Sequence, residues 1–590
     1  MRRETWLVER TFQSARSLAE HAYALAERLH VACDHRAVDY WARTIAWMEE
    51  ASRLHRCSDC CVACASRHGD CHEPACRTAS VSQSAMIRVL MFGQGYGRLD
   101  PSSHLLLNGL GQAYRIPVVH HGFPWNPEDF DRLLVFEPPA DAPGNVRGRG
   151  VPLVVLTPGE PLDQRGATLC SSFSRREPLL EASLESGPHS FVQPATPFAA
   201  TALIELPLSL FVGVERGQAE QAALGEEAAV TFVNPVTMDP ADVSPPIAQS
   251  PAMPLIYFQE GSQYDPLRAF VNGDFGVDRA RLRFFEPYQA DKIPLVFVHG
   301  LLSDPTTFME MAAAMRADPV LRTRYQIWAF RYPTGEAFLK SAAALRQELD
   351  AAFNCPERYD QTFERADAID ANPRAVVVGH SLGGLVAKIQ IVNSGDRLWY
   401  SVANVPLERL RGPPERIAEL RDSFFFEANP NIARVIYIAT PHQGSPWASR
   451  FIGRVGDVLA RNRSREERAF DAIISANPGA FSGEFSDSFP SSVELLRPSS
   501  DLLQALATIE SSPDVIVNSI IGGHYRLLLA GRSDGVVRVD SAYRPEAATT
   551  TIVNATHTSI QRSSDAQQEL VSLLKMHLME TTLSPPLSGL

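Results

Sequence analysis

Gly379-His380-Ser381-Leu382-Gly383 is the stretch of this chain with the clearest chemical meaning. It sets a serine between an apolar β-branched run, Ala375-Val376-Val377-Val378, and a segment that is apolar at helical spacing, Gly384 to Val392. A strand that turns directly into a helix around a serine is a nucleophile elbow. The turn is tight enough to strain the serine backbone, and Gly379 and Gly383 relieve the crowding around it. The serine hydroxyl then stands clear of the sheet, at the positive end of the following helix. A nucleophilic serine needs a base, a group that orients the base, and donors for the oxyanion formed on attack.

Candidates for each are spread along the rest of the sequence. Pro294-Leu295-Val296-Phe297-Val298 reads as a buried strand, and His299-Gly300-Leu301-Leu302 follows it. A strand ending in His-Gly sets a backbone N–H beside the nucleophile, although His-Gly also occurs in plain turns. The main-chain N–H groups of Leu301 and Leu382 are the candidate oxyanion donors, with the two side chains lining the acyl side of the pocket. The candidate acid is Asp534, in Arg532-Ser533-Asp534-Gly535-Val536-Val537, after the apolar strand Val515–Ile521 and the loop Gly522-Gly523. An aspartate beyond a late strand can accept from a histidine ring and hold its tautomer. An Asp-Gly pair is also a routine turn former. Its rivals are Asp540, inside the alternating stretch Val537–Asp540, and Asp514, which precedes its strand. The candidate base is His557, which follows the short strand Thr550–Val553 and precedes a helix expected over Asp565–Met579. Its rivals His442 and His524 both come before Asp534.

With serine, aspartate and histidine in that chain order, the sequence from about Ile293 onward resembles the α/β-hydrolase superfamily, and within it the bacterial lipase and esterase group. Val298-His299-Gly300 is similar to the lipase oxyanion strand. Ala439-Thr440-Pro441-His442-Gln443-Gly444-Ser445, after the strand Val435–Ile438, is similar to the Thr-Pro-His-x-Gly-Ser stretch of many lipases. The resemblance implies an α/β-hydrolase fold, a mostly parallel sheet flanked by helices. It implies that Ser381, His557 and Asp534 hydrolyse carboxylic esters through an acyl-enzyme, on a small-molecule or lipid ester and with no cofactor. It sets His442 near the active site as a pocket or cap-supporting residue. Acyl transfer, thioester hydrolysis and amide hydrolysis use the same parts, and a hydrolase fold can also persist as an inactive scaffold or binding protein.

The 590 residues are too many for one domain, and a hydrophobic content of 45% is ample for sizeable cores. A net charge of −13 argues against nucleic acid as a partner, because a phosphate-binding surface needs clustered Lys and Arg. No apolar run approaches the ~18 residues that span a membrane. Met1-Arg2-Arg3-Glu4-Thr5-Trp6 has no apolar stretch behind it, so no secretory signal is visible and a cytoplasmic location is the default expectation.

The elements that must position these residues fall into three expected parts. Residues 1–82 read as a helical segment, with Leu18, Ala22, Leu25, Ala26 and Leu29 at three- and four-residue steps, followed by a cysteine-rich linker. Of nine cysteines, Cys57, Cys60, Cys61, Cys64, Cys71 and Cys76 crowd there. The Cys57-x-x-Cys60 and Cys61-x-x-Cys64 pairs have the spacing of a metal knuckle, but they abut instead of forming two separated halves, so no metal ligand is assigned. Residues 83–285 read as a β-rich accessory domain, a candidate sandwich, with strands expected at Ile87–Phe92, Arg132–Phe136, Val151–Leu156, Ala199–Leu206, Leu210–Val214 and Ala229–Val233. Residues 286–590 are the expected catalytic domain, with a cap insertion over 445–513. That insertion opens with an apolar face, Trp447, Phe451, Ile452, Val455, Val458 and Leu459, opposite several arginines. Such a face can cover an acyl pocket, pack on the sheet, or touch an anionic membrane surface.

Overall fold

The computed structural model describes residues 2–54, 74–135, 145–158, 196–212, 228–238, 246–260, 280–289, 291–353, 374–447, 465–527 and 531–583. They belong to two compact units, one within residues 2–257 and the other from Phe258 onward.

The N-terminal unit opens with helices α1 (Arg2–Val31) and α2 (Ala37–Leu54), which pack along each other. The face of α1 that packs matches the stripe expected from sequence only in part, at Ala26 and Leu29. Phe12, Ala15, Ala19 and Ala26 are buried, whereas Leu18 and Leu25 are exposed. Small alanines let the two helices approach closely, which a leucine row does not.

Residues Ile87–Phe92 form no strand. They lie in helix α3 (Pro74–Gly95), where Ala85 and Val89 are buried and Phe92 stacks on Trp41 of α2 at 5.7 Å. A six-residue apolar run is ambiguous between the two periods, and here the three- to four-residue step from Ala85 to Tyr96 decides.

Seven strands follow: β1 (Leu99–Asp100), β2 (His104–Gly109), β3 (Gln112–His121), β4 (Arg132–Leu134), β5 (Val151–Leu156), β6 (Pro197–Glu205) and β7 (Ala229–Val233). They form one sheet in the order β1-β2-β3-β7-β6-β5-β4, with β3 parallel to β7 and the other pairs antiparallel. The helices pack on this sheet, in place of the second sheet that a sandwich would need. Trp41, Ile45, Val89, Leu105, Ile116 and Val155 share its core. Asp39 of α2 joins helix to sheet by a buried ion pair with Arg98 at 2.5 Å and by accepting the Asn108 N–H at 2.7 Å. The expected strand at Leu210 is instead the end of a 3-10 turn, Leu208–Leu210, and Phe211 continues the turn; Gly213 and Val214 lie outside the described residues.

In the C-terminal unit the β-branched runs become the strands of a second seven-stranded sheet. Its members are β8 (Arg281–Phe284), β9 (Ile293–Val298), β10 (Tyr325–Arg331), β11 (Ala375–His380), β12 (Ile432–Ile438), β13 (Ile516–Gly522) and, after the hairpin β14 (Tyr525–Leu527) and β15 (Gly531–Ser533), β16 (Thr549–Val553). The order is β16-β13-β12-β11-β9-β10-β8, parallel throughout except for β8 at the edge. Every residue of β9, β11 and β12 is buried, as expected where helices cover both faces of a parallel sheet.

Alternate residues serve the two faces. Val296, Val377 and Val435 join the core with residues of helices α5 (Phe338–Phe353), α6 (Leu382–Ile389), α7 (Pro414–Phe424) and α8 (Asp501–Thr508). Phe297, one step along β9, stacks on Phe308 at 4.7 Å, just ahead of α4 (Met309–Ala317). Helix α4 in turn packs with α9 (Ser564–Leu583). Each fully buried Val or Phe on these strands contributes roughly 1.5–3 kcal/mol by leaving water.

The chain runs from β9 to its neighbour β10, then crosses to β11 on the other side of β9. The carboxyl ends of β9 and β11 therefore flank the switch point of the sheet, where open α/β folds form their crevice.

Of the expected cap, residues 448–464, including Arg450, Phe451, Ile452, Val455, Val458 and Leu459, lie outside the described residues. The described part that follows sends Phe470, Ile473, Phe485, Phe489 and Val493 into the same core as the sheet. Cys57, Cys60, Cys61, Cys64 and Cys71 also lie outside the described residues. Among the described residues no helix is long and apolar enough to cross a membrane.

Candidate active site

Ser381 sits at the switch point, between β11 and α6. Its backbone has φ 53° and ψ −122°, a conformation that non-glycine residues rarely adopt. The surroundings force it. The Ser381 N–H donates to the Ile438 carbonyl at 2.9 Å, and its carbonyl accepts from Gly384 N–H at 3.0 Å. A Cβ at Gly379 would come within 2.6 Å of the Gly383 carbonyl oxygen, and one at Gly383 would strike the carbonyls of Val298 and His299. Helix and strand thus approach so closely that only glycine fits on either side of the serine.

His557, in the loop after β16, brings Nε2 to 2.9 Å from Ser381 Oγ. Its Nδ1 lies 2.7 Å from Asp534 Oδ2, just beyond β15. A carboxylate can only accept, so Nδ1 carries the proton and Nε2 presents its lone pair to the serine hydroxyl. The carboxylate is itself fixed, because Oδ1 accepts the N–H groups of Val536 at 2.9 Å and Val537 at 2.7 Å. The His557 N–H donates to the Asp534 carbonyl at 3.0 Å, which ties the two loops together. All three residues are buried.

The rivals stand elsewhere. Asp540 is exposed and paired with Arg538. Asp514 offers its carbonyl to Arg374. His524 is exposed and lies 3.1 Å from Asn554 Oδ1.

The loop after β9 lies against the elbow: a Cβ on Gly300 would be 3.1 Å from Ser381 Cβ. His299 anchors this loop. Its ring stacks on Tyr332 at 4.4 Å, its Nε2 accepts the Tyr332 N–H at 3.3 Å, its Nδ1 faces the Gly300 carbonyl at 3.1 Å, and its own carbonyl accepts the Tyr332 hydroxyl at 2.7 Å. Complete burial holds its pKa down at about 4, so the ring is neutral. Leu302 takes a positive φ of 54° and donates its N–H to Thr334 Oγ1 at 3.2 Å. Among the described residues the N–H groups of Leu301 and Leu382 have no acceptor.

His442 is fully buried with its ring edge-on to Tyr437 at 4.6 Å, and neither of its nitrogens has a partner among the described residues. Burial pulls its pKa well below the usual histidine range, an effect reinforced by the charges of Lys388 and Arg544.

Sequence reasoning passed over three contributors. Tyr332 and Thr334, just past β10, hold the loop after β9, and no local motif marks them. His380 lies inside the pentad, where the sequence assigns it no role; its Nε2 lies 3.1 Å from the His557 carbonyl.

Residues 295–573 match the sequence profile of the alpha/beta hydrolase family. No protein of curated function matches the chain. Among solved structures, the chain is similar to the mature form of the lipase BlEst2 of Bacillus licheniformis, at 15% identity over 50% of this chain and 97% of that one, with a TM-score of 0.29. It is similar to a metagenomic carboxyl esterase at 17% identity, over 50% of this chain and 77% of that one, with a TM-score of 0.27. It is also similar to EstA from Clostridium botulinum, at 13% identity over 49% of this chain and 87% of that one, with a TM-score of 0.29.

Proposed function

The C-terminal half of the chain, residues 295–573, is a member of the alpha/beta hydrolase family, and from that premise we propose that the protein is a serine hydrolase cleaving carboxylic esters through an acyl-enzyme. The observation that carries this reading is the unbroken line of hydrogen bonds from Ser381 Oγ through His557 to Asp534.

In this reading Ser381 Oγ attacks the ester carbonyl carbon while its proton passes to His557 Nε2. Asp534 holds the ring in the required tautomer and stabilises the imidazolium. The carbonyl oxygen becomes an oxyanion held by the N–H groups of Leu301 and Leu382; losing one such donor typically costs ~3 kcal/mol of barrier. When the carbonyl re-forms, the C–O bond to the alcohol breaks and His557 returns the proton to the leaving oxygen. Water then attacks the acyl-enzyme, again losing its proton to His557. The acid is released and Ser381 Oγ takes back the proton. No step calls for a cofactor, and the substrate is a small-molecule or lipid ester. In this reading every catalytic group lies after Ile293.

A fluorophosphonate probe tests the reading on the purified chain. Label on Ser381 that disappears in Ser381→Ala, together with turnover of aryl esters, is the expected result. A folded protein that the probe leaves unlabelled sinks the proposal and favours a scaffold on the same fold. Thioester and amide analogues of the best ester, compared by kcat/KM, separate ester hydrolysis from the related acyl transfers.

A further inference from the structure

Four hydrogen bonds hold His557 at the site. Two are on its ring, to Asp534 Oδ2 and Ser381 Oγ. Two are on its main chain: the N–H donates to the Asp534 carbonyl at 3.0 Å, and the carbonyl oxygen lies 3.1 Å from His380 Nε2. Three of these bonds belong to groups the reaction already uses. The fourth comes from the residue that precedes the nucleophile. We propose that His380 is a positioning residue, whose Nε2–H holds the main chain of His557 and so sets the approach of the His557 ring to Ser381. The inference rests on the reading of Ser381 as nucleophile and His557 as base.

A carbonyl oxygen has no proton to give, so the proton of this bond sits on His380 Nε2 and the neutral ring leaves Nδ1 bare. That Nδ1 is buried without a partner among the described residues, at the spot where Gly300 leaves room; a Cβ on Gly300 would come within 3.0 Å of it. His380 is only 6% exposed, and its ring centroid stands 4.9 Å from that of His557. The titratable groups it faces are His557 from the loop after β16 and His299 from the end of β9. Burial first, and then the neighbouring His557, hold its pKa well below the usual histidine range, so the imidazolium that forms on His557 meets an uncharged ring.

The arrangement is economical in geometry. His380 and Ser381 are joined by one peptide in a backbone that the flanking glycines and the Ile438 carbonyl hold rigid. The nucleophile and the tether of its base therefore move as one body. An apolar side chain of similar volume would fill the space but leave the His557 carbonyl without its donor and free the loop to shift. Displacing a reacting group by about 1 Å can cost on the order of 100-fold in rate.

The test compares donors at position 380 in the full chain. Glutamine can place an amide N–H near the position of Nε2; leucine fills space and donates nothing. The readouts are the second-order rate of fluorophosphonate labelling at Ser381, kcat and KM on an aryl acetate, and the melting temperature. The expected result is that His380→Leu lowers the labelling rate and kcat about 10- to 100-fold with KM little changed. His380→Gln should stay within about threefold of the parent, the conservative variant rescuing what the apolar one loses. Should His380→Leu fail to fold, His380→Asn supplies the contrast, because its shorter amide cannot reach the carbonyl. A His380→Leu protein labelled at the parent rate overturns the proposal, and so does a His380→Gln protein as impaired as the variant without a donor. A parent protein that the probe never labels overturns the underlying reading of Ser381 instead, so the two failures are distinguishable.

Discussion

Replacing Ser381 by glycine should make the C-terminal unit more stable than replacing it by alanine. Both substitutions delete the hydroxyl and its bond to His557, so their difference isolates the backbone. At φ 53° and ψ −122° a residue with a Cβ is strained, and alanine keeps that strain while glycine relieves it. Conformations of this kind cost on the order of 1–3 kcal/mol. Glycine gives back about 0.5–1 kcal/mol through the greater freedom of its unfolded chain. Taking the middle of both ranges, Ser381→Gly should exceed Ser381→Ala by about 1 kcal/mol. With an unfolding entropy of about 2.1 cal/mol/K per residue over roughly 300 residues, that difference is about 2 °C in Tm. Thermal unfolding of the two variants side by side, with urea unfolding at 25 °C as a second measure, reads it directly. If Ser381→Gly is equal to or less stable than Ser381→Ala, the elbow stores no strain, and the reasoning that ties its glycines to the nucleophile's geometry fails.

Asp534→Asn should fold normally and lose on the order of 10³- to 10⁴-fold in kcat, because an amide facing Nδ1 favours the wrong tautomer of His557; Asp540→Asn, in an exposed ion pair, should be neutral. Near-normal ester turnover by Asp534→Asn would remove the residue from its role. His299 makes stability depend on pH. Its folded pKa near 4 lies below the ordinary 6.5, so the unfolded chain binds the extra proton between those values, and stability is lost as pH falls from about 6.5 to about 4. At 1.36 kcal/mol per pH unit this one group accounts for about 3 kcal/mol over the window. Urea unfolding at pH 7 and pH 4.5 should therefore show a smaller pH penalty for His299→Phe than for the parent; equal penalties would show that the ring is not buried neutral.

The features legible from sequence alone are those set by contacts between near neighbours in the chain. Gly379, Ser381 and Gly383 mark the elbow because the crowding they relieve is among a handful of adjacent residues. The runs Pro294–Val298, Ala375–Val378 and Val435–Ile438 mark buried strands because a strand covered on both faces must be apolar at every position. Where the local pattern was short, it misled. Six apolar residues at Ile87–Phe92 fit a strand as well as a helix, and packing against Trp41 settled the matter in favour of α3. Of the stripe expected on α1, Ala26 and Leu29 reach the core while Leu18 and Leu25 are exposed, because close approach to α2 favours alanine, a preference that exists only once the partner helix is there.

At the candidate site, sequence order could nominate Asp534 and His557 but not exclude Asp540, since each is an aspartate near a turn. The two separate only when β15 and the loop after β16 bring one carboxylate to 2.7 Å from the imidazole and leave the other in solvent. The contributions of Tyr332 to the loop after β9 and of His380 to His557 were beyond reach, because each depends on a carbonyl distant in sequence: 33 residues away for Tyr332 and 177 for His380. A hydrogen bond of that kind leaves no periodicity, composition or spacing in the chain; it comes into being only when the sheet stacks its strand ends side by side.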